Sequence, residues 1–430
     1  FWLKAARPRR RGCAHGGCWR GHGMPLRSGK KFENYTIHCV LGRGNEGGCV
    51  YRALHDEDTK REPVALKHPV RTEEQKALRA LREKAPGCPG VPPLLDWGAH
   101  FIVTELLGPP IKIIFEELED RQLSARWEVV RTLGSVLVRL LESIHRCGYV
   151  HCDVQPSNIL LGRSCDGFVR PFLVDFGCAR CFPDGEPMQG DWGSIDFNSA
   201  RSADGGVRGP HDDLESLGWV LCHGLFGDLP WFEWSRTAWE SGDWKKRRET
   251  LTKRVQRAKA NAIEKGWARL GPAWRHLTQM PRQLHEFLRL CYNRGDGPPD
   301  YDALVALLRE SDSPAYVPAS SPFALSAMDE DLRALDAQVS SLLPDGQLEE
   351  CGMRVKDRES VRIEGFGAPW QRLEADSDLA AAEASAQADA RAAWANKDRE
   401  ESDSPRTPRT SFTAFDFSEL EGAEGSLLSD

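Results

Sequence analysis

Apolar and polar positions alternate in short runs early in the chain and recur at helical spacing later, which predicts a strand-rich region followed by a helical one. Ile37 to Leu41 opens one apolar strand, and Val64-Ala65-Leu66-Lys67 is an apolar run that ends on a single lysine. Glu74 to Leu81 reads as a helix, with Leu78 one turn after Glu74 and facing the core. Val129, Leu133, Val136, Leu137, Leu140, Leu141 and Ile144 trace the apolar face of a long helix, and Leu251, Val255, Ala258 and Ala262 trace another. This globular texture spans residues 32–310. From Ser311 the chain turns to Ser, Pro, Ala, Asp and Glu with few aliphatics, so 311–430 is expected to be mostly disordered, since such a segment cannot offset its ordering entropy. Within it Leu332, Leu335, Val339 and Leu342 recur behind Asp329, Glu330 and Asp331, which predicts a short amphipathic helix near 329–343. No apolar run approaches the roughly 18 to 20 residues of a membrane helix. Even the stretch around Val136 to Leu141 is broken by Arg139.

The 430 residues carry a formal net charge of -7, which argues against a protein whose main work is clamping nucleic acid, because that work needs a basic face. Thirteen cysteines are scattered without repeated pairs and no secretory apolar core opens the chain. A reduced compartment, cytoplasmic or nuclear, is the expectation. Cys13, His15, Cys18 and His22 match no established zinc-ligand spacing. Residues 1–31 hold no acid through Lys31 and include Arg7, Arg9, Arg10 and Arg11, a basic flexible arm that reads as an anion-binding or nuclear-localisation patch or as a solvated one. The chain opens on Phe1, and Met24 is a candidate start.

Candidate chemistry gathers at three places. Gly42, Gly44 and Gly48 lie in a glycine-rich run between the first strand and Val50-Tyr51, where glycines let a hairpin backbone approach phosphate oxygens; a plain glycine-rich hairpin gives the same pattern. Lys67 is placed to reach the same phosphates, and Glu74, with Glu73 competing, offers a carboxylate to fix it. Asp153 and Asn158 stand five positions apart between apolar anchors, and Leu173-Val174-Asp175-Phe176-Gly177 puts another aspartate at a strand end. Phosphoryl transfer needs a carboxylate to orient the substrate hydroxyl and oxygen ligands for Mg²⁺, and Asp153, Asn158 and Asp175 supply that set. Any one of these residues is compatible with a surface turn; the ordered series is not.

The series resembles the protein kinase superfamily, and further stretches resemble its casein kinase 1-like group: Glu105-Leu106-Leu107-Gly108-Pro109, Asp212-Asp213-Leu214-Glu215-Ser216-Leu217-Gly218-Trp219, Leu229-Pro230-Trp231, Pro299-Asp300-Tyr301, and Gly193 to Ser199 in place of Ala-Pro-Glu. The resemblance covers roughly residues 32 to 310. It implies an α+β, bilobal fold, with a small β-rich N-lobe that holds ATP phosphates and a larger helical C-lobe that holds metal and substrate. It implies ATP-dependent transfer of the γ-phosphate to serine or threonine hydroxyls of protein substrates by a monomer, with ATP and Mg²⁺ as cofactors. Asp153, Lys67, Glu74, Asn158 and Asp175 would form the catalytic set, with Asn158 and Asp175 on the metal. Gly42, Gly44, Gly48, Val50, Ala65, Thr104, Leu107 and Leu160 would surround the nucleotide, with Thr104 as gatekeeper and Leu107 as the backbone contact to adenine. His151, Phe176 and Leu78 would stack between the lobes, and Asp213 would brace the catalytic loop.

Five departures stand out. Cys152 replaces an arginine that pairs with activation-loop phosphate, and Gln155 replaces a lysine that holds γ-phosphate charge. The glycine loop is one residue long for the pattern and carries Glu46. These support the alternative of a catalytically weak pseudokinase acting as a scaffold. Asp196 stands where an arginine is usual, which predicts a weakened preference for acidic or phosphorylated primers unless Arg180, Arg201 or Arg208 turns inward. Finally, Lys245, Lys246, Arg247, Arg248, Lys253, Arg254, Arg257 and Lys259 crowd the segment 245–259, which reads as a solvated helix face or as a docking face for an acidic protein partner.

Overall fold

The computed structural model describes residues 25–43, 48–58, 62–84, 90–163, 167–183, 193–202, 207–240, 244–267, 272–294, 297–310 and 325–343. All lie in the first of the two units into which the chain divides, residues 1–358. The basic arm before Pro25, loop residues Gly44 and Glu46, and the tail beyond Leu343 lie outside the described residues.

The early alternation builds a six-stranded antiparallel sheet in the order β1-β2-β3-β4-β6-β5. Its strands are β1 Lys31–Phe32, β2 Tyr35–Arg43, β3 Cys49–His55, β4 Pro63–His68, β5 Leu94–Gly98 and β6 Phe101–Glu105. Successive side chains leave a strand on opposite faces. Tyr51, Ala53, Leu66 and Val103 therefore fill one buried face with Tyr35, Ile37 and Phe101. The register sets Val50 opposite Lys67 and Ala65 opposite Thr104 on the other face. Helix α1, Thr72–Lys84, buries Glu74, Ala77, Leu78 and Leu81, a spacing that keeps them on one side. Its acidic first turn and basic last turn complement the helix dipole.

The second lobe is helical: α2 Lys112–Leu118, α3 Leu123–Arg146, α4 Pro210–Phe226, α5 Phe232–Glu240, α6 Trp244–Lys265, α7 Arg282–Tyr292, α8 Tyr301–Arg309 and α9 Leu325–Leu342. Every residue of the α3 stripe named above is buried, and α4, α8 and α9 pack against it. Two two-stranded antiparallel sheets complete the lobe, one of β7 Tyr149–Val150 with β10 Arg180–Cys181, the other a hairpin of β8 Ile159–Arg163 with β9 Val169–Leu173. Trp219 of α4 meets Trp231 edge-on at 5.2 Å between ring centres. None of the described helices is long and apolar enough to cross a membrane.

Two sequence expectations gain detail here, the first being the expected amphipathic helix near 329–343, which is present as α9. Helix α9 packs on α3, α2 and β9 and buries Leu332, Leu335 and Val339, so the packed body continues past residue 310. Arg309 pairs with Asp331, and Asp336 accepts a hydrogen bond from the Val169 amide at 2.9 Å. Leu335 is fully buried. Leu335→Ala is therefore expected to lower the unfolding free energy by about 2–5 kcal/mol, read as a shifted urea midpoint. An unchanged midpoint would mean that α9 adds nothing to the folded body.

The second concerns the basic segment. Lys259, read as part of a solvated or docking face, is 1 % exposed. It sits four residues after Val255 on the buried stripe, and its ammonium lies 5.5 Å from the Trp219 ring centre and 5.2 Å from that of Trp231. Lys253 pairs with Glu249, and Arg248 donates to the Gly193 carbonyl at 3.1 Å. The segment is thus not one uniform cationic surface.

Candidate active site

Lys67 reaches the cleft because strand alternation puts it on the face shared with Val50, Ala65 and Thr104. Its Nζ donates to both Glu74 carboxylate oxygens, at 2.8 and 2.6 Å, and to Asp175 Oδ1 at 2.8 Å. Glu73 is exposed, which resolves the choice between the two glutamates. Burial would lower the Lys67 pKa, yet the charges of Glu74 and Asp175 hold it above the ordinary lysine value. Glu74 is pushed up because burial outweighs the attraction of Lys67. At Asp175 desolvation is opposed and overcome by Lys67, so its pKa falls below the usual carboxylate value. The Asp175 side chain remains 43 % exposed, which leaves oxygen surface open to the cleft.

Asp175 adopts a left-handed backbone (φ 63°, ψ 66°), and Cys152, beside Asp153, does the same (φ 64°). Such conformations cost about 1–3 kcal/mol each for non-glycine residues and persist only where surrounding contacts impose them. Those contacts are visible. Asp213, at the start of α4, accepts from the His151 amide at 2.6 Å, the Cys152 amide at 2.8 Å and His145 Nε2 at 3.0 Å. His145 Nδ1 in turn lies 2.8 Å from the Tyr301 hydroxyl, which gives the Pro299-Asp300-Tyr301 stretch a structural reason. His151 Nε2 is 3.0 Å from the Val174 carbonyl and must donate there; its Nδ1 then accepts from the Asp153 amide at 3.3 Å. The His151 ring meets Phe176 at 4.9 Å, and Phe176 and Leu78 share one buried core.

Asp153 is enclosed by donors. Gln155 Nε2 lies 3.0 Å from each carboxylate oxygen, the Ser194 amide donates to Oδ1 at 2.8 Å, and Asn158 Nδ2 donates to Oδ2 at 3.0 Å. Burial nevertheless raises the Asp153 pKa, with Asp175 adding to the effect. A carboxyl held this way is oriented and moved toward proton-accepting strength. The glutamine that departs from the family pattern is thus spent on Asp153, with no positive charge to offer elsewhere.

Several supporting contacts escaped sequence reasoning. Arg208, 5 % exposed, donates to the Cys152 carbonyl at 2.9 Å, and Arg71 donates to the Gly177 carbonyl at 3.3 Å. Lys259 Nζ donates to the carbonyls of Ile195 at 3.1 Å and Asn198 at 2.7 Å, fixing the stretch that carries Ser194. Its place on the apolar stripe of α6 was the available signal. Gly193 has φ +80°, and a Cβ there would stand 2.7 Å from the Cys152 carbonyl oxygen and 3.1 Å from Asp153 Oδ1, so only glycine fits. Asp196 turns into α5, where its Oδ1 accepts from Ser235 Oγ at 2.6 Å, and burial raises its pKa. Of the arginines named as compensators, Arg208 is engaged with the Cys152 carbonyl and Arg201 lies over the Tyr292 ring at 4.8 Å.

The cleft walls come from both lobes. Val50, Ala65, Thr104 and Leu160 are half-buried, and Leu107 is buried where the Gly108 amide donates to the Leu161 carbonyl at 2.7 Å and the Leu161 amide to the Pro109 carbonyl at 2.8 Å. Gly42 is buried in β2, and Gly48 lies so close to the Pro69 carbonyl that a Cβ would stand 2.8 Å from it. The donor set at the cleft floor suits Mg²⁺. Among the described residues no cluster of three or more His, Cys, Asp or Glu forms a cage. One open carboxylate, Asp175, and the amide of Asn158 are instead what an ion needs that takes most of its oxygens from phosphate and water.

Residues 99–295 match the family model of the protein kinase domain. The matched segment includes Thr104, Leu107, Asp153, Asn158, Leu160 and Asp175, and begins after Lys67 and Glu74, whose placement rests on the geometry above. That segment is similar to a protein kinase domain, and the described residues fold as a curled β-sheet lobe and a helical lobe.

Proposed function

We propose that the chain is an active ATP-dependent protein serine/threonine kinase of casein kinase 1-like type. The observation that carries this reading is Lys67 Nζ bridging Glu74 and Asp175, because it joins the nucleotide-facing sheet, α1 and the metal-binding floor in one arrangement. Lys67 would hold phosphate oxygens, and Val50, Ala65 and Leu160 would sandwich the adenine. Asn158 and Asp175 would hold Mg²⁺, which supplies charge neutralisation for the phosphates. Asp153 would orient the substrate hydroxyl and receive its proton as the oxygen bonds to the γ-phosphorus and the bond to the ADP oxygen breaks. Gln155, a neutral donor on Asp153, favours the second reading, a slow or scaffolding kinase fold.

Incubating the purified chain with γ-labelled ATP, Mg²⁺ and casein separates the two. Label on serine or threonine is expected, with Asp175→Ala reducing incorporation to background. Equal labelling by wild type and Asp175→Ala would reject the enzyme reading, and nucleotide binding without any transfer would favour the scaffold.

A further inference from the structure

We propose that the outer face of α6 is a docking site for an extended acidic peptide segment of a partner protein. A cleft of about 450 Å³ opens where this face meets the start of α5, lined by Trp234, Arg254, Arg257, Asn261 and Lys265 beside Pro230. Arg254, Asn261 and Lys265 stand at i, i+7 and i+11 on one side of the helix, with Arg257 flanking. Eleven residues at about 1.5 Å each make a stripe of roughly 16 Å. An extended chain of about five residues covers that length at roughly 3.3 Å per residue. Positive charge sits at both ends of the stripe. No acidic residue lines the cleft, and none of the described carboxylates pairs with Arg254, Arg257 or Lys265.

Arg254 lies with its guanidinium carbon 3.8 Å from the Trp234 ring centre. Stacking holds the planar group while its N–H edge stays available to a carboxylate or phosphate. A peptide fits better than a nucleic acid because the chain's net charge of -7 opposes a long polyanion, whereas a few acidic groups meet only the local cations. The location also matters for substrates. The inner face of the same helix holds the stretch beside Asp153 through Arg248 and Lys259, and Trp231, next to the Pro230 rim, donates to the Asp196 carbonyl at 2.9 Å. A protein docked on α6 is thereby held on the helix whose inner face contacts the stretch beside Asp153.

The proposal is tested by binding, so its outcome is independent of whether the chain transfers phosphate. Fluorescence anisotropy of the full chain is measured with labelled peptides that carry acidic residues five positions apart, as glutamate or as phosphoserine, and with a glutamine-and-serine control. Binding of at least one acidic peptide, weakened by salt and at least tenfold weaker in Arg257→Gln/Lys265→Gln, is expected; the tighter of the two peptides identifies the anion. That double variant keeps the Arg254–Trp234 stack, and an unchanged thermal midpoint would show that it is folded. Equal binding of the control, unchanged binding by the double variant, or tighter binding of a short RNA oligonucleotide would overturn the proposal.

Discussion

Lys67→Met is expected to lower kcat/KM for phosphoryl transfer by about 10²- to 10³-fold, the size of effect seen when one preorganised charge-stabilising donor is removed. The change does two things at once. It withdraws the only cation that bridges Glu74 and Asp175 among the described ion pairs, and it leaves buried Glu74 and cleft-facing Asp175 without the charge between them. Glu74 is already pushed up by burial, and losing the attraction of Lys67 pushes it further in the same direction while removing its link to the sheet. Asp175 would lose the attraction that keeps its pKa low, which weakens it as a metal ligand. Lys67→Arg is expected to fall between wild type and Lys67→Met, because a planar fork restores charge but cannot occupy the point between two carboxylates. The measurement is initial rates over a range of ATP and peptide concentrations, with circular dichroism as the check on folding. Rates of Lys67→Met within twofold of wild type would dismiss the assigned role of this lysine.

How far the residues announced this site depends on the kind of signal each one carries. Lys67, Asp153, Asn158 and Asp175 were legible because they sit at fixed offsets beside short apolar runs, and a strand end or tight loop can hold them in only a few ways. Glu74 was legible less sharply: Glu73 has the same chemistry, and only its helical phase with Ala77, Leu78 and Leu81 puts Glu74 inward. The supporting residues were harder to read because their partners are backbone carbonyls distant in sequence. Arg208 to Cys152 spans 56 residues and Lys259 to Asn198 spans 61. A carbonyl has no sequence signature, so a buried cation reads as one more surface charge. Lys259 is the clearest instance, since composition put it in a basic run while its phase on α6 put it under Trp219 and Trp231. At Asp196 the charge was legible, while its rotation toward Ser235 was not. Helix α9 was legible as an amphipathic pattern, but what it packs against follows only from the α3 and β9 surfaces that receive it.

Asp213→Ala is expected to destabilise the fold by about 3–5 kcal/mol, the range for breaking a buried, hydrogen-bonded charged group, and to slow transfer although Asp213 touches no substrate. The carboxylate is 1 % exposed and serves three donors: the amides of His151 and Cys152 and the ring of His145. Alanine would leave two buried amides without acceptors, at about 1–3 kcal/mol each. It would also release the left-handed turn at Cys152 that delivers Asp153. Asp213→Asn keeps the volume and one acceptor oxygen but turns an NH₂ group toward one of the donors, so an intermediate loss is expected. The pH dependence gives a second readout. Burial alone would raise the Asp213 pKa, but the hydrogen bonds from His145 and the His151 amide more than offset it, so the folded value lies below the ordinary one. An acid with a depressed folded pKa binds more protons unfolded than folded. Its stabilisation is therefore complete above the unfolded value of about 3.9 and is lost as pH falls through the folded value. The stability difference between wild type and Asp213→Asn should hold from pH 8 down to about 5 and shrink below about 4. Urea unfolding across that range checks both parts. A difference that instead grew as the pH fell would show that Asp213 is protonated in the folded protein, and the bracing role would then need a neutral carboxyl.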